Sequence, residues 1–409
     1  MHCFPDIYLF NPTCDLAIGN GSPNWQPNKL LKKMEADLSI LPLFLGTSNG
    51  IVLVEQLPSE KFLKSIEELG INIPVFMKLQ KALNAEACPF KDINSLKPWG
   101  WSPATHKLLT PLKTKCSEAF QKSPVFNWSA ETRDLYSKKF ALSILQQIIV
   151  EFPDTIFIPK EITGQVCYGQ QHIESLLSSW GKLMIKAPWS SSGRGLQPIT
   201  KTPVHPKVWE KILGIIKDQG YVIVEPLLDK QLDIAFQFEL RNRKVSFLGI
   251  SNFMTDNKGQ YTGNRLNGLP DDMNPELKRF AESLPDRIIS PLIHILENSE
   301  LALAYEGNFG VDALIFKTAN NQLAVNPCLE INLRQNMGLL SLHLEKFLFP
   351  GQKALYQTWY GGGKSFLKFQ SEMERKHPLV LKNNKIASGF LALTDAGNDS
   401  KFGAYIIAP

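Results

Sequence analysis

The sequence has few of the residues that build disulfide scaffolds or zinc sites. Its 409 residues include six cysteines and seven histidines. The cysteines show no Cys-x-x-Cys spacing and no neighbouring histidine at zinc-ligand spacing. This argues against both a structural zinc site and a disulfide framework. We therefore expect free, buried thiols in a reducing cytoplasm, and we assign no role to any histidine.

Long apolar runs are also missing. No segment approaches the roughly eighteen consecutive apolar residues that a membrane-spanning helix needs. The N-terminal residues show no basic region followed by a long apolar stretch. The sequence therefore predicts neither a membrane span nor a signal peptide, and we expect a cytoplasmic protein. Internal repeats and low-complexity tracts are absent as well.

The charge balance is mild for a chain of this length. A formal net charge of +5 suits an anionic ligand such as a nucleotide, but it falls short of the charge density of a nucleic-acid-binding protein. The hydrophobic content of 44% and charged content of 20% are typical of a globular protein. The length allows about two or three domains with large cores.

Residues 329–334 alternate apolar and polar side chains. Because successive strand residues point to opposite faces, the pattern predicts a strand whose polar face carries Glu330, Asn332 and Arg334. Asp312 ends a similar segment upstream, and an Asn-Asn pair between the two segments favours a hairpin turn. Such oxygen ligands suit a magnesium ion carrying phosphates. Taken alone, an ordinary amphipathic hairpin with a solvated face explains the pattern better.

Four further features precede this hairpin in a definite order. They are a helix that opens with lysines, an apolar strand that ends in a lysine, a small Ser/Gly loop rich in backbone donors, and a buried strand that ends in a carboxylate: residues 137–139, 183–186, 190–195 and 221–228. Each has an ordinary alternative, since strand-end lysines usually reach water, Ser/Gly loops are usually linkers, and Glu225 can simply face solvent. It is their combination that indicates a shared site.

That order resembles the ATP-grasp superfamily, over roughly residues 137–337. The resemblance implies a mixed α/β and α+β fold, with an N-terminal α/β domain and two α+β subdomains that clasp a nucleotide. The implied segments are a pre-grasp or substrate domain (1–135), a first grasp subdomain with the lysine and the loop (136–228), a second with the metal hairpin (229–350), and a C-terminal tail packing on the grasp domain (351–409).

The resemblance also implies a nucleotide site. Lys186 would reach the phosphates and the adenine edge, and the Ser/Gly loop would cover the β- and γ-phosphates with its backbone N–H groups. Glu225 would accept from the adenine amino group, the backbone of 226–228 would read the base edge, and Asp233 would take the ribose hydroxyls. The implied set is Lys138 or Lys139, Lys186, Ser190, Ser191, Ser192, Gly193, Arg194, Gly195, Glu225, Pro226, Leu227, Leu228 and Asp233. The sequence does not choose between the two adjacent lysines.

Asp312, Glu330 and Asn332 match the family's ligands for one or two Mg²⁺ (or Mn²⁺) ions. Arg334 and Lys186 are the implied catalytic residues. The implied activity joins a carboxylate, on a small molecule or short peptide, to an amine through an acyl phosphate, with ATP as co-substrate. A non-catalytic nucleotide-binding protein and a grasp-type kinase or carboxylase are the alternatives.

The chain departs from the family at the start of the loop. The family commonly has a proline directly after the strand lysine, whereas here Ala187 intervenes before Pro188. Trp189 is bulky for this position and packs either on the nucleotide or against the loop as a brace.

Two other segments are candidate substrate contacts. Asn11 and Asp15 follow the first strand in a polar turn, where ligands bind in open α/β sheets, although Asx turns explain the composition equally well. Asn264 and Arg265 are expected on a loop, where the arginine would bind a substrate carboxylate with two hydrogen bonds. A surface arginine is the alternative there.

Two motif resemblances are rejected. Residues 358–365 end like a Walker A loop, but Thr358 replaces the first glycine, and a helical stretch is expected before it where a P-loop needs a strand. Residues 19–21 begin like a dinucleotide fingerprint, but Asn24 stands where the third glycine belongs. The apolar pattern also predicts a strand over 41–45 and a helical region over 275–297 broken by Pro285 and Pro291.

Overall fold

The computed structural model describes residues 4–46, 49–84, 89–190, 193, 195–256 and 259–409. Their strands are β1 (Ile7–Leu9), β2 (Ile51–Val54), β3 (Val75–Lys78), β4 (Leu96–Pro98), β5 (Gln165–Cys167), β6 (Leu183–Lys186), β7 (Leu196–Ile199), β8 (Val222–Pro226), β9 (Asp229–Arg241), β10 (Lys244–Thr255), β11 (Tyr261–Leu266), β12 (Gly307–Lys317), β13 (Leu323–Asn332), β14 (Ala354–Tyr360), β15 (Val380–Lys382), β16 (Lys385–Ala392) and β17 (Phe402–Ala408).

The α-helices are α1 (Cys14–Asn20), α2 (Lys29–Asp37), α3 (Glu60–Glu67), α4 (Leu79–Ala82), α5 (Pro103–Leu108), α6 (Thr110–Lys113), α7 (Glu118–Gln121), α8 (Lys138–Glu151), α9 (Gln170–Trp180), α10 (Pro206–Gln219), α11 (Pro275–Asn298), α12 (Leu301–Ala304), α13 (Met337–Glu345) and α14 (Phe366–Lys376). Short 3₁₀ helices are formed by Leu41–Phe44, Pro124–Phe126, Ala130–Tyr136 and Lys160–Ile162. None of the helices in the described ranges is both long and apolar enough to cross a membrane.

The chain folds into two compact units, each built from separate stretches of sequence. Unit 1 comprises Met1–Trp128, Thr262–Pro270 and Arg334–Pro409, and unit 2 comprises Ser129–Tyr261 and Asp271–Leu333. This grouping is coarser than the four segments expected from the sequence, whose boundaries stay a prediction.

Unit 1 contains two sheets. The first is parallel, in the order β3-β2-β1-β4. The second is antiparallel, in the order β11-β14-β17-β16-β15. One apolar cluster draws buried residues from both sheets, among them Tyr8, Val52, Tyr356 and Ile406. Residues far apart in sequence therefore share one core.

Unit 2 also contains two sheets, both antiparallel. The smaller has the order β5-β8-β6-β7, and α9 and α10 contribute to its apolar core. The larger has the order β13-β12-β9-β10, with α8 against β13 and α11 against β10. Both sheets therefore have a helical layer that covers apolar side chains, as expected for half-buried antiparallel sheets.

The predicted hairpin of the larger sheet is confirmed. Strands β12 and β13 pair antiparallel, with Asp312 opposite Glu330 and Gly310 opposite Asn332. Asn321 has a positive φ in the connecting turn, a conformation that asparagine tolerates. Val311 on the alternate face is fully buried. Apolar packing on one face therefore fixes the register of the polar face.

Three predicted elements are wrong. The predicted strand over 41–45 is instead a 3₁₀ helix, Leu41–Phe44, since Pro42 at its first turn presets a helical φ. Residues 275–297 lie in one continuous helix, α11, that contains Pro285 and Pro291. Burial of Leu284, Ile288 and other apolar residues on one face offsets the lost backbone hydrogen bonds.

The third error precedes the Walker-like segment. Strand β14 stands there instead of a helix, because its β-branched and aromatic residues favour a strand. β14 pairs antiparallel with both of its neighbours, β11 and β17, and Thr358 lies inside it. The first glycine of a phosphate loop is still missing, so the rejection of that motif stands.

Four cysteines in the described ranges are free and buried, namely Cys14, Cys116, Cys167 and Cys328. Burial raises the pKa of the Cys116 thiol and of the Cys167 thiol to about 11 each. These two thiols are therefore mostly protonated at neutral pH, and all four cysteines agree with the expectation of free, buried thiols.

We expect Phe309→Ala to lower the free energy of unfolding by about 3–5 kcal/mol, because it removes a fully buried ring stacked on Phe238 at a centroid distance of 5.3 Å. Denaturant unfolding of the full chain measures the change. Leu303→Ala is the control, since Leu303 is 61% exposed and its truncation should change stability by less than about 0.5 kcal/mol. Equal losses for the two variants would contradict the assignment of Phe309 to the core.

Candidate functional site

One ammonium group in unit 2 joins two of the segments that the sequence singles out. Lys138 opens α8 directly after Ser137, whose side chain caps the helix, and it is 7% exposed. Its Nζ donates to the carbonyl oxygen of Ser190 at 2.9 Å and to its Oγ at 3.1 Å. The same Nζ lies 2.8 Å from Glu330 Oε1. The start of the Ser/Gly loop and the β12–β13 hairpin therefore meet at this lysine.

The adjacent lysine has different surroundings. Lys139 is exposed, and its Nζ lies over the Tyr221 ring at 5.7 Å from the centroid. Neighbouring helix residues point about 100° apart, so only one of the two can face the hairpin. In this structure that residue is Lys138, a choice that the sequence alone left open.

Lys186 and Glu225 form a second ion pair in unit 2. Nζ lies 2.6 Å from Oε2, and the two side chains are 7% and 15% exposed. They sit on the paired strands β6 and β8, where Lys186 is opposite Ile223. Glu225 thus lies diagonally across from the lysine on the same face. The ordinary alternative that Glu225 faces solvent is therefore wrong.

Gly164 allows this close packing. A Cβ placed there would lie only 2.8 Å from Cγ of Glu225. Any side chain at position 164 would therefore push the carboxylate away from Lys186.

After β8, several groups that the sequence assigns to the nucleotide already have hydrogen-bond partners within the protein. Leu227 N–H donates to the carbonyl of Lys182 at 2.9 Å, and the carbonyl of Leu228 accepts from Lys230 N–H at 3.0 Å. Asp233, assigned to the ribose, accepts from Lys230 Nζ at 2.7 Å and from Thr255 Oγ1 at 3.0 Å. A base or ribose would have to share or replace these partners. Pro226, the remaining residue assigned to the base edge, ends β8.

The Ser/Gly loop is closed at its base. Ala187 N–H donates to the carbonyl of Gly195 at 2.9 Å. Gly193 has φ +73°, and a Cβ there would lie 2.4 Å from the carbonyl oxygen of Gly259, so only glycine fits. Ser191, Ser192 and Arg194, which the sequence also assigns to the phosphates, lie outside the described residues.

Trp189 braces the start of this loop. It is buried, its Nε1 donates to the carbonyl of Arg133 at 3.1 Å, and the Arg133 guanidinium lies over its ring at 4.0 Å. Its backbone N–H donates to Gln219 Oε1 at 3.1 Å. These contacts favour the bracing role over stacking on a nucleotide.

The predicted metal ligands share one face of the larger sheet of unit 2. Asp312 and Glu330 are directly opposite each other, and Asn332 Nδ2 donates to Asp312 Oδ2 at 3.2 Å. Two carboxylates and an amide oxygen form a hard donor set that fits Mg²⁺, which takes few protein carboxylates beside substrate phosphates. Across the described residues, no group of three or more His, Cys, Asp or Glu side chains forms a metal site. Phosphate or water oxygens would therefore complete the coordination.

Arg334 lies beyond the end of β13, in unit 1, and not on the strand as the alternation suggested. Its Nε donates to Asp15 Oδ2 at 2.8 Å. Close packing surrounds the pair, since a Cβ at Gly100 would lie 3.1 Å from Arg334 Cβ and 2.3 Å from Cys14 Sγ. A predicted catalytic arginine and a predicted substrate residue are thus ion-pair partners.

The other candidate substrate residues lie in unit 1. Asn11 Nδ2 donates to the carbonyl of Gly100 at 2.8 Å and to Thr105 Oγ1 at 2.9 Å. Asn264 and Arg265 lie on strand β11, not on a loop, and Asn264 is fully buried. The loop assignment fails because strand β14 pairs with this segment from a distant part of the sequence.

The sequence reasoning missed one buried polar pair beside the hairpin. Gln237 is 1% exposed, its Nε2 donates to Ser251 Oγ at 3.0 Å, and its Oε1 has no hydrogen-bond partner among the described residues. Register places Gln237 opposite Gly310, on the face that carries Asp312. Alternation along β9 starting from Asp233 is the signal that would have identified it.

Neither a protein-family model nor a curated protein sequence matches this chain. Solved structures do resemble it. A biotin carboxylase–βγ-ATP complex from Campylobacter jejuni has a TM-score of 0.53 at 12% identity, over 100% of this chain and 88% of that chain. An ADP complex of N5-carboxyaminoimidazole synthetase from Staphylococcus aureus has a TM-score of 0.47 at 14% identity, over 99% and 93%. A MgADP complex of the biotin carboxylase domain of a Hydrogenobacter thermophilus 2-oxoglutarate carboxylase has 0.49 at 10% identity, over 100% and 87%.

Lys138→Met and Lys139→Met form a matched pair that tests the expectation that one of the two lysines contacts a nucleotide. We expect Lys138→Met to weaken ADP binding by about tenfold to a hundredfold, because a charged donor at the loop and the hairpin is lost. Lys139→Met should bind ADP like the parent chain. Calorimetric titration with ADP measures both, and the reverse order of effects would contradict the assignment.

Proposed function

We propose that this chain, which has the ATP-grasp fold, is an ATP- and Mg²⁺-dependent ligase that joins a carboxylate to an amine. The mixed α/β fold class expected from the sequence is confirmed. The observation that carries the proposal is the contact of Lys138 with both Ser190 and Glu330. It brings a loop suited to phosphates beside a hairpin suited to a divalent cation, within one unit.

The ammonium groups of two lysines in unit 2 are held in place by ion pairs, and their positive charges suit a triphosphate. Lys138 and Lys186 are both buried, and each now neutralises a carboxylate. Phosphoryl transfer requires positioning and neutralised charge rather than a protein nucleophile. Phosphate oxygens can replace the Glu330 and Glu225 oxygens as partners of lysines that are already in place. The ammonium groups then need little reorganisation.

In the proposed reaction, a substrate carboxylate oxygen attacks the γ-phosphorus while the bond to the β–γ bridging oxygen breaks and ADP leaves. The amine nitrogen then attacks the carbonyl carbon of the acyl phosphate. The bond from that carbon to the phosphate oxygen breaks, phosphate leaves, and the nitrogen loses a proton to solvent. When bound, Mg²⁺ on Asp312, Glu330 and Asn332 would offset negative charge on the β- and γ-phosphates. Arg334, the catalytic arginine implied by the resemblance, stays a proposed partner of the transferring phosphoryl group.

The proposal is tested by incubating the full chain with ATP, Mg²⁺, and pools of small acids and amines. Phosphate and ADP release that requires both an acid and an amine supports the ligase, and EDTA should abolish it. Phosphate retained on the product would instead identify a kinase. Nucleotide binding without turnover under any combination would identify the non-catalytic alternative.

We expect Glu330→Gln to lose about a hundredfold or more of ATP-dependent turnover, because it removes a negative charge from the proposed metal site. The melting temperature should change little, because the glutamine keeps an oxygen that can accept from Lys138 Nζ and the side chain is 28% exposed. Phosphate release and thermal unfolding measure the two effects. Glu282→Gln, at an exposed position of α11 in the same unit, is the control. Near-normal turnover of Glu330→Gln would rule out the metal assignment.

A further inference from the structure

Unit 1 contains a cavity of about 210 Å³ that the proposed nucleotide chemistry does not use. It lies where strands of the parallel sheet end. Asn11 follows β1, Glu55 follows β2 and Leu79 follows β3, and all three line the cavity. In open parallel sheets, ligands bind at the carboxyl ends of the strands. The position of the cavity thus favours a ligand site over a packing defect.

The wall of the cavity is largely apolar. Leu9, Phe10, Leu53, Val54 and Leu108 are among its lining residues. The cavity volume of about 210 Å³ leaves room for a small molecule. It is smaller than a drug-sized pocket, which spans roughly 300–1,000 Å³. The cavity therefore suits a small molecule with an apolar body.

One carboxylate faces this cavity without a cation. Glu35 lies on α2, and its Oε1 accepts from Thr13 Oγ1 at 2.5 Å and from Thr13 N–H at 3.3 Å. No ion pair to Glu35 is found among the described residues. Burial raises the pKa of the Glu35 carboxyl, and the negative charge of Glu55 adds to this, while Lys32 opposes it. A cationic group brought to Glu35 would relieve this cost.

We propose that the cavity binds a small primary amine, with its ammonium group on the Glu35 carboxylate and its apolar body against the wall. This inference rests on the proposed ligase function, for which the ligand is the amine co-substrate. The charge at the cavity favours a cation over an anion, since Lys32 and Glu55 are both exposed and of opposite sign, which leaves the partly buried Glu35 as the deciding charge. Thr13 is buried and fixes the carboxylate through two hydrogen bonds.

The test is calorimetric titration of the full chain, without nucleotide, with butylamine and phenethylamine. Butyrate, phenylacetate and butanol are the probes of matched shape. We expect at least one amine to bind and the acids and the alcohol to bind about tenfold more weakly or not at all. Tighter binding of an acid or of the alcohol would overturn the proposal.

Two variants test the site itself. Glu35→Gln keeps the shape and the Thr13 hydrogen bonds, and it should weaken amine binding about tenfold or more, because a charged acceptor becomes a neutral one. Ala36→Leu places extra carbon atoms at a residue that lines the cavity and should abolish binding without changing the charge. Glu67→Gln, on the exposed side of α3, is the matched control and should bind like the parent chain. Unchanged amine binding by both site variants would overturn the assignment.

Failure of this inference is distinguishable from failure of the ligase proposal. Amine binding without nucleotide reports on the cavity, whereas acid-dependent phosphate release reports on the reaction. If the Glu35→Gln variant turns over normally at low amine concentration, the ligase proposal stands and the cavity is not its amine site. Amine binding by a chain that never hydrolyses ATP would keep the cavity as an amine site and remove the ligase proposal.

Discussion

The contact of Lys138 with Ser190 and Glu330 is the interaction on which the arrangement of the candidate site in unit 2 depends. Its ammonium is buried, so it requires hydrogen-bond acceptors in a definite geometry. Those acceptors come from a loop after β6 and from β13, which belong to different sheets. The ammonium group of Lys138 therefore contacts segments that belong to both sheets of the unit. Replacing that charge affects the loop and the hairpin together.

Carboxylates and lysines are paired at several points of this unit, at Lys138–Glu330, Lys186–Glu225 and Lys230–Asp233. Burying the Lys138 and Lys186 pairs costs desolvation energy that the attraction within each pair offsets only in part, so their net contribution to stability is small. The Lys230 side chain is 42% exposed, and water weakens its ion pair. Their value lies in holding long side chains in one arrangement. A polyanion can enter such an arrangement by exchanging one set of oxygen atoms for another. The stability of unit 2 and its affinity for a polyanion thus depend on different residues.

Local patterns predicted the parts of the fold that depend on neighbouring residues. The alternation around Glu330 and the turn at Asn321 predicted the β12–β13 hairpin, because a strand repeats every two residues and asparagine tolerates a positive φ. Contacts between segments far apart in the sequence could not be predicted from these local patterns. Strand β11 depends on β14, and the Arg334–Asp15 ion pair depends on the packing of distant segments. The choice of Lys138 over Lys139 also required the hairpin to be placed, and Glu35 gave no sequence signal because only the cavity distinguishes it.

The order in which the two units can be completed during synthesis follows from how they are threaded. Unit 2 has all of its residues once Leu333 has been added to the growing chain, whereas unit 1 still lacks Arg334–Pro409. The apolar residues of β1 and β2 find their partners in β14 and β17 only after unit 2 is complete. The amino-terminal segment must therefore wait, with apolar surface uncovered, while the middle of the chain folds. A nascent chain of this topology therefore exposes apolar surface, to which a chaperone can bind, until β14 and β17 have been synthesised.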